Sequence, residues 1–279
     1  MAELLFGTAG IPHSASTRTT LDGIRRVADL GLGCMEVEFV KGVKMGEAGA
    51  RLVAEIAAAE GIALSAHAPY YVNFNAHEPE KIRASQERLL HTVRIGSLCG
   101  VRSIVLHTAF YLGDPPEQVY DAVKKYLGEV IDRIRKDNYR LLIRPEVMGK
   151  PSQFGTIDEI LRLCTELERL APCVDFAHWH ARTGVNNSYR EFSAVLSQIN
   201  DSLGREALDD MHIHFSGIQY GAKGERKHLN LKESDLNYIE LLRALKDHEV
   251  GGLVICESPN LEGDALMLQE TYQGLVESA

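Results

Sequence analysis

The chain has 279 residues, 45% of them apolar and 25% charged, with a net charge of −9. This composition excludes a disordered or low-complexity chain and supplies apolar surface for a large core. The acidic balance argues against a basic nucleic-acid binder, although bound cations or a local basic loop can reverse the field at one face.

No apolar run reaches the roughly 18 residues of a membrane span. The opening residues MAELLFGTAG lack a basic stretch followed by a long apolar one, so no secretory signal is expected. The cysteines Cys34, Cys99, Cys164, Cys173 and Cys256 are scattered and form no C-x-x-C. A reducing, cytoplasmic setting without a membrane partner is the expectation.

In chain order, strands are expected near 3–8, 34–39, 62–67, 102–107, 140–146, 172–176, 210–215 and 252–257. Helical patterns fall between and after them, near 19–31, 46–60, 78–98, 116–136, 156–169, 189–203, 233–247 and 263–276. The strand segments are rich in Val, Ile and Leu, as strands buried on both faces require. Pro116 and Thr156 supply helix-start signals. Strand and helix alternate eight times, which predicts a single (β/α)8 TIM barrel over residues 1–279. The main rival is a doubly wound sheet. It would favour a glycine-rich phosphate turn after the first strand, and GTAGIP is not G-x-G-x-x-G.

His, Asp and Glu residues mark the ends of the last six expected strands. They are His67, His107, Glu146, Asp175 with His178 just beyond, His212 with His214, and Glu257. One histidine at a strand end is ordinarily a hydrogen-bonded core or surface residue. Six successive placements converge on the carboxyl-terminal face of a barrel, where barrel enzymes carry their chemistry. Histidine and carboxylate donors suit zinc, manganese or iron. A glycosidase pair of Glu146 and Glu257 would leave the histidines unexplained. No G-x-S-x-G supports a serine nucleophile.

The segments SAHAPYYVNF, VLHTAF, RPEVMGK, CVDFAHWHA, MHIHF and VICES resemble, in order and spacing, the metal-binding segments of the endonuclease IV family of apurinic/apyrimidinic endonucleases. That family lies within the xylose isomerase-like barrels. The resemblance implies two or three bound Zn2+ ions, with Mn2+ as an alternative. His67 and His107 would hold the first ion, bridged by the catalytic Glu146 to a second on Asp175, His212 and Glu257. His178 would hold a third with residues of the loop after strand seven. The family's Asp-x-His in that loop is here GERKHL. Glu225 replaces the aspartate and Lys227 stands where the histidine should be, with His228 one residue later. Either His228 reaches the ion or Lys227 substitutes its charge toward phosphate.

On the substrate side the resemblance implies roles for Tyr70, Tyr71, Lys44 and Lys227. The implied activity is hydrolysis of duplex DNA 5′ to an abasic site by a monomer. A base that is missing has no pairing to lose, which favours flipping. A sugar isomerase or epimerase of the same superfamily needs only Glu146, Asp175, His212 and Glu257 around one ion. A non-catalytic damaged-DNA-binding protein would have no use for these ligands. The pair His67 and His107 discriminates the nuclease from the single-metal enzyme.

Overall fold

The computed structural model describes residues 3–275. Eight parallel strands form one sheet: β1 (Leu4–Ala9), β2 (Cys34–Glu38), β3 (Ala63–His67), β4 (Ser103–Leu106), β5 (Leu142–Pro145), β6 (Cys173–Asp175), β7 (Met211–Phe215) and β10 (Gly252–Cys256). Their spatial order is β5-β4-β3-β2-β1-β10-β7-β6. The parallel bridges Ile143–Leu170 and Glu146–Cys173 join the two ends of the sheet. The result is a (β/α)8 barrel.

The surrounding helices are α1 (Thr20–Asp29), α2 (Glu47–Glu60), α3 (Pro79–Leu98), α4 (Pro116–Lys136), α5 (Ile157–Glu166), α6 (Phe176–Thr183), α7 (Tyr189–Leu203), α8 (Arg205–Asp209), α9 (Tyr238–Asp247) and α10 (Glu262–Gly274). Thr156 caps α5 in a reciprocal capping box with Glu159, which fixes that helix start. Helix α9 begins later than expected, because Asn237 caps it after a 3-10 turn at Leu231–Glu233. The expected end of the last helix at 276 lies outside the described residues. No helix among the described residues is long and apolar enough to cross a membrane.

Two apolar clusters hold the fold. The larger joins residues such as Phe6, Met35, Leu106, Ile143 and Ile213 to the helices. The smaller contains Cys34, Leu253 and Ile255, with Leu5 and Ala63 packed against it. Since alternate strand residues face opposite sides, the residues that follow this plug along the barrel axis include Glu36, Ser65, His212 and His214. All four are buried, so this part of the barrel interior is polar.

Two features depart from the expected alternation. Helix α6 follows β6 without a loop, because the Asp175 carboxylate accepts from the His178 N–H at 2.7 Å and caps the helix. After β7 comes an antiparallel hairpin, β8 (Gly217–Gly221) and β9 (Gly224–Leu229), where a loop was expected. It is pinned over the barrel mouth by the Glu225 N–H bond to the Gly149 carbonyl. His180 and Tyr220 both reach Asp235 and clamp the hairpin against α6. His180 therefore serves the hairpin, two residues beyond the cluster residue His178.

Candidate metal centre

The strand ends bring three donor groups together at the carboxyl-terminal face. His67, His107 and Glu146 form one; Glu146, Asp175, His214 and Glu257 form the second; Asp175, His178 and His228 form the third. Within each group the donor atoms lie within 4.8 Å of one another. Glu146 belongs to the first two and Asp175 to the last two, so the groups adjoin.

Glu146 divides its oxygens between groups. Oε2 lies 3.3 Å from His67 Nε2 and 2.9 Å from His107 Nε2. Oε1 lies 3.1 Å from His178 Nδ1 and 3.4 Å from His214 Nδ1. Burial would raise this carboxyl, but His107 and His214 beside it hold it well below the ordinary carboxylate range. Burial dominates at Asp175 and raises it to about 6, against the opposing pull of His178.

The histidines are oriented by their far nitrogens. His67 places Nδ1 2.7 Å from the Ala68 carbonyl, and His228 places Nδ1 3.3 Å from the Glu257 carbonyl. A carbonyl only accepts, so those nitrogens carry the protons and the Nε2 atoms offer lone pairs to the cluster. His178 has Nδ1 3.2 Å from the Val147 carbonyl, and its Nε2 faces His228 Nε2 at 3.3 Å. Two lone pairs at that distance need a proton or a cation between them. Asp175 Oδ2 and His214 Nδ1 are buried without hydrogen-bond partners. This donor set fits divalent metal ions of the zinc, manganese or iron type.

Without metal the carboxylates draw protons instead. Burial opposes charge on His67 and His178, yet Glu146 raises the first to about 9, and Asp175 with Glu146 raises the second to about 10.

The second donor group contains His214 where His212 was expected. Both point into the barrel, but His212 is paired in register with Cys173 and His214 with Asp175 at the rim. Two residues along a strand, about 7 Å, decide which one reaches the ligand plane. His212 stays below, 3.0 Å from Glu36. Burial there lowers it to about 4 and keeps it neutral. Cys173 forms a deeper donor group with His212 and His214, but burial pushes its thiol up to about 12.

His228, not Lys227, approaches His178. In the hairpin Gln219 pairs with Lys227 and Tyr220 with Glu225, which leaves Arg226 as one extra residue on β9. This bulge offsets the alternation by one. Glu225 and His228 consequently meet His178 Nε2, at 3.6 and 3.3 Å. Lys227 is exposed, as is its register partner Gln219.

Among the substrate-side residues, Tyr70 stacks on His107 with centroids 4.7 Å apart and planes at 6°. Tyr70 is 47% and Tyr71 63% exposed, so both offer open aromatic surface at the mouth. Lys44 is exposed beside a cavity of about 510 Å³ that Arg18, Glu38 and Lys41 also line. A larger cavity of about 980 Å³ lies at the opposite end of the barrel, around Phe6, Leu32 and Tyr272, away from these donors.

A family model described as a xylose isomerase-like TIM barrel matches residues 24–275. The chain belongs to that family. Among relatives of this xylose isomerase-like barrel, an uncharacterised protein of Methanocaldococcus jannaschii is 46% identical over 274 residues, covering 98% of both chains. A protein of Mycoplasma pneumoniae named probable endonuclease 4 is 26% identical, covering 70% of this chain and 67% of its own. Solved structures of similar fold include a D-tagatose 3-epimerase-like protein, with TM-score 0.75, 18% identity and 96% of both chains covered. Endonuclease IV from Thermus thermophilus superposes with TM-score 0.72 at 18% identity, covering 95% of this chain and 97% of its own. Fold similarity alone does not separate the two activities.

Sequence reading missed Glu36 and Glu38. Both fall on alternate positions of a strand whose other residues are apolar, and a carboxylate facing a barrel interior is costly unless paired. That cost was the available signal.

Proposed function

We propose that this protein is a divalent-metal-dependent endonuclease that hydrolyses the phosphodiester 5′ to an abasic site in duplex DNA. The observation that carries the reading is the pair His67 and His107 on Glu146 Oε2. It adds a donor group beyond the four residues that a single-metal isomerase or epimerase uses. Relatives named probable endonuclease 4 support the same reading.

In this reading His67, His107 and Glu146 would hold the first ion. Glu146, Asp175, His214 and Glu257 would hold the second. His178 and His228, with Asp175 and Glu225, would hold a third. Zinc suits these donors best, and manganese is the alternative. Bound ions would supply Lewis acidity toward the phosphoryl oxygens and acidify an attacking water.

The chain's own residues do the rest. Glu146 stays ionised under burial and keeps its two oxygens assigned to different groups. Tyr70 lies flat on His107, which orients that imidazole and leaves an aromatic face for an unstacked base or sugar. Tyr71 extends this surface. The overall charge repels phosphate, so the exposed cations Lys44, Lys223, Arg226 and Lys227 define where the backbone can approach. Contacts to phosphate make binding salt-dependent and indifferent to sequence.

The second reading, a metal-dependent sugar epimerase, rests on the four-residue group alone and on the epimerase-like fold neighbour. His107→Ala separates the two. Loss of abasic-site incision with the ions of the other two groups retained supports the nuclease. Unchanged incision by the variant would reject it.

A further inference from the structure

Glu36 lies mid-strand on β2, fully buried in the barrel. An ionised carboxylate there persists only if its oxygens are satisfied. Oε1 lies 3.0 Å from His214 Nε2. Oε2 accepts the Ser65 hydroxyl at 2.8 Å and lies 3.0 Å from His212 Nε2.

A carboxylate can only accept, so the proton between Glu36 and His214 resides on Nε2. Nδ1 then points to the opposite side, 3.4 Å from Glu146 Oε1 and 3.5 Å from Glu257 Oε1. It has no hydrogen-bond partner there. An unpaired imidazole nitrogen aimed between two carboxylates is a ligand atom facing a cation position. We propose that Glu36 is the positioning residue that fixes the orientation and tautomer of His214, making Nδ1 the ligating atom of the second group. The proposal rests on the reading that this group holds a divalent ion, whatever the reaction.

The arrangement differs from that of the neighbouring histidines. His67 and His228 rest their far nitrogens on backbone carbonyls. His214 rests on a buried carboxylate, which makes the imidazole more basic and its metal bond stronger. Ser65 donates to the other oxygen and His212 Nε2 lies 3.0 Å from it, which restrains the Glu36 carboxylate. His212, which sequence reading placed among the ligands, supports the ligand from below through Glu36.

The test uses the full chain stripped by chelator and titrated with Zn2+ in competition with a chromophoric chelator. Failure of the wild type to bind Zn2+ would overturn the metal-centre reading itself. Given binding, Glu36→Gln is expected to weaken one equivalent by about 10- to 100-fold and leave the others unchanged. An unchanged set of affinities in a folded Glu36→Gln protein overturns the proposal. Long-range 15N–1H histidine spectra of the wild type provide the second measurement and need no variant. The proposal expects His214 protonated on Nε2 with the Zn2+-dependent shift on Nδ1. The reverse pattern overturns it. Ser65→Ala, which removes one bond to Oε2 and spares the ligands, should weaken the same equivalent to a smaller degree.

Discussion

Glu225 and His228 address the same imidazole, that of His178, although they lie three positions apart on β9. Strict alternation would put them on opposite faces. The extra residue Arg226 brings them back to one side. The family spacing of acid and histidine is lengthened by one residue, and a one-residue bulge compensates.

His228→Ala should remove one equivalent of bound metal, whereas Lys227→Ala should leave the stoichiometry unchanged. Elemental analysis of the two purified variants checks this. Loss of metal in Lys227→Ala alone would reverse the assignment.

The adjacent histidines of β7 should behave differently. His214→Ala removes a proposed ligand and should lower both metal content and turnover, by at least the roughly 10- to 100-fold that loss of a ligand's supporting partner costs. His212→Ala should keep every ion, with the second bound somewhat less tightly, and destabilise the fold by about 1–3 kcal/mol, because the buried Glu36 Oε2 loses its His212 neighbour. Chemical unfolding and metal analysis of both proteins distinguish the outcomes. Equal metal loss in both would place His212 in the ligand set.

Tyr70→Ala tests the aromatic surface. Stacking of a base on an aromatic ring contributes about 1–3 kcal/mol, so incision efficiency should fall by roughly 5- to 150-fold, with metal content intact. A fall in metal content would instead mean that Tyr70 acts by holding His107.

Glu38 gives a pH prediction. The residue is partly exposed, but its Oε1 is buried and unpaired. Burial, reinforced by the Glu36 charge, raises its pKa to about 8. The fold thus favours the protonated form. That contribution is complete below the unfolded carboxyl value, near 4.5, and is lost as pH rises through about 8. Metal-free Glu38→Gln, neutral at all pH, should match the wild type at pH 5 and melt higher at pH 9. A lower melting temperature for the variant at pH 9 would show that the fold needs the anion.

The barrel was legible because eight apolar runs alternate with amphipathic segments, and because caps such as Thr156 punctuate them. Helix α6 was not read, although Asp175 and the left-handed Gly184 bracket it, because its start merges with the strand. The hairpin is indistinguishable from a loop by spacing alone, despite the Gly221–Gly224 turn. The choice between His212 and His214 depended on depth along one strand, which alternation alone does not reveal. Nearness to the carboxyl end would have favoured His214. The bulge at Arg226 depends on pairing between β8 and β9, a tertiary fact that spacing does not carry.

The most direct measurement combines metal content with incision of a duplex carrying one abasic site, on the wild-type chain stripped and reloaded with Zn2+. The account predicts two or three ions per chain and a single cut 5′ to the lesion. One ion per chain, an intact duplex and turnover of a ketose would contradict it.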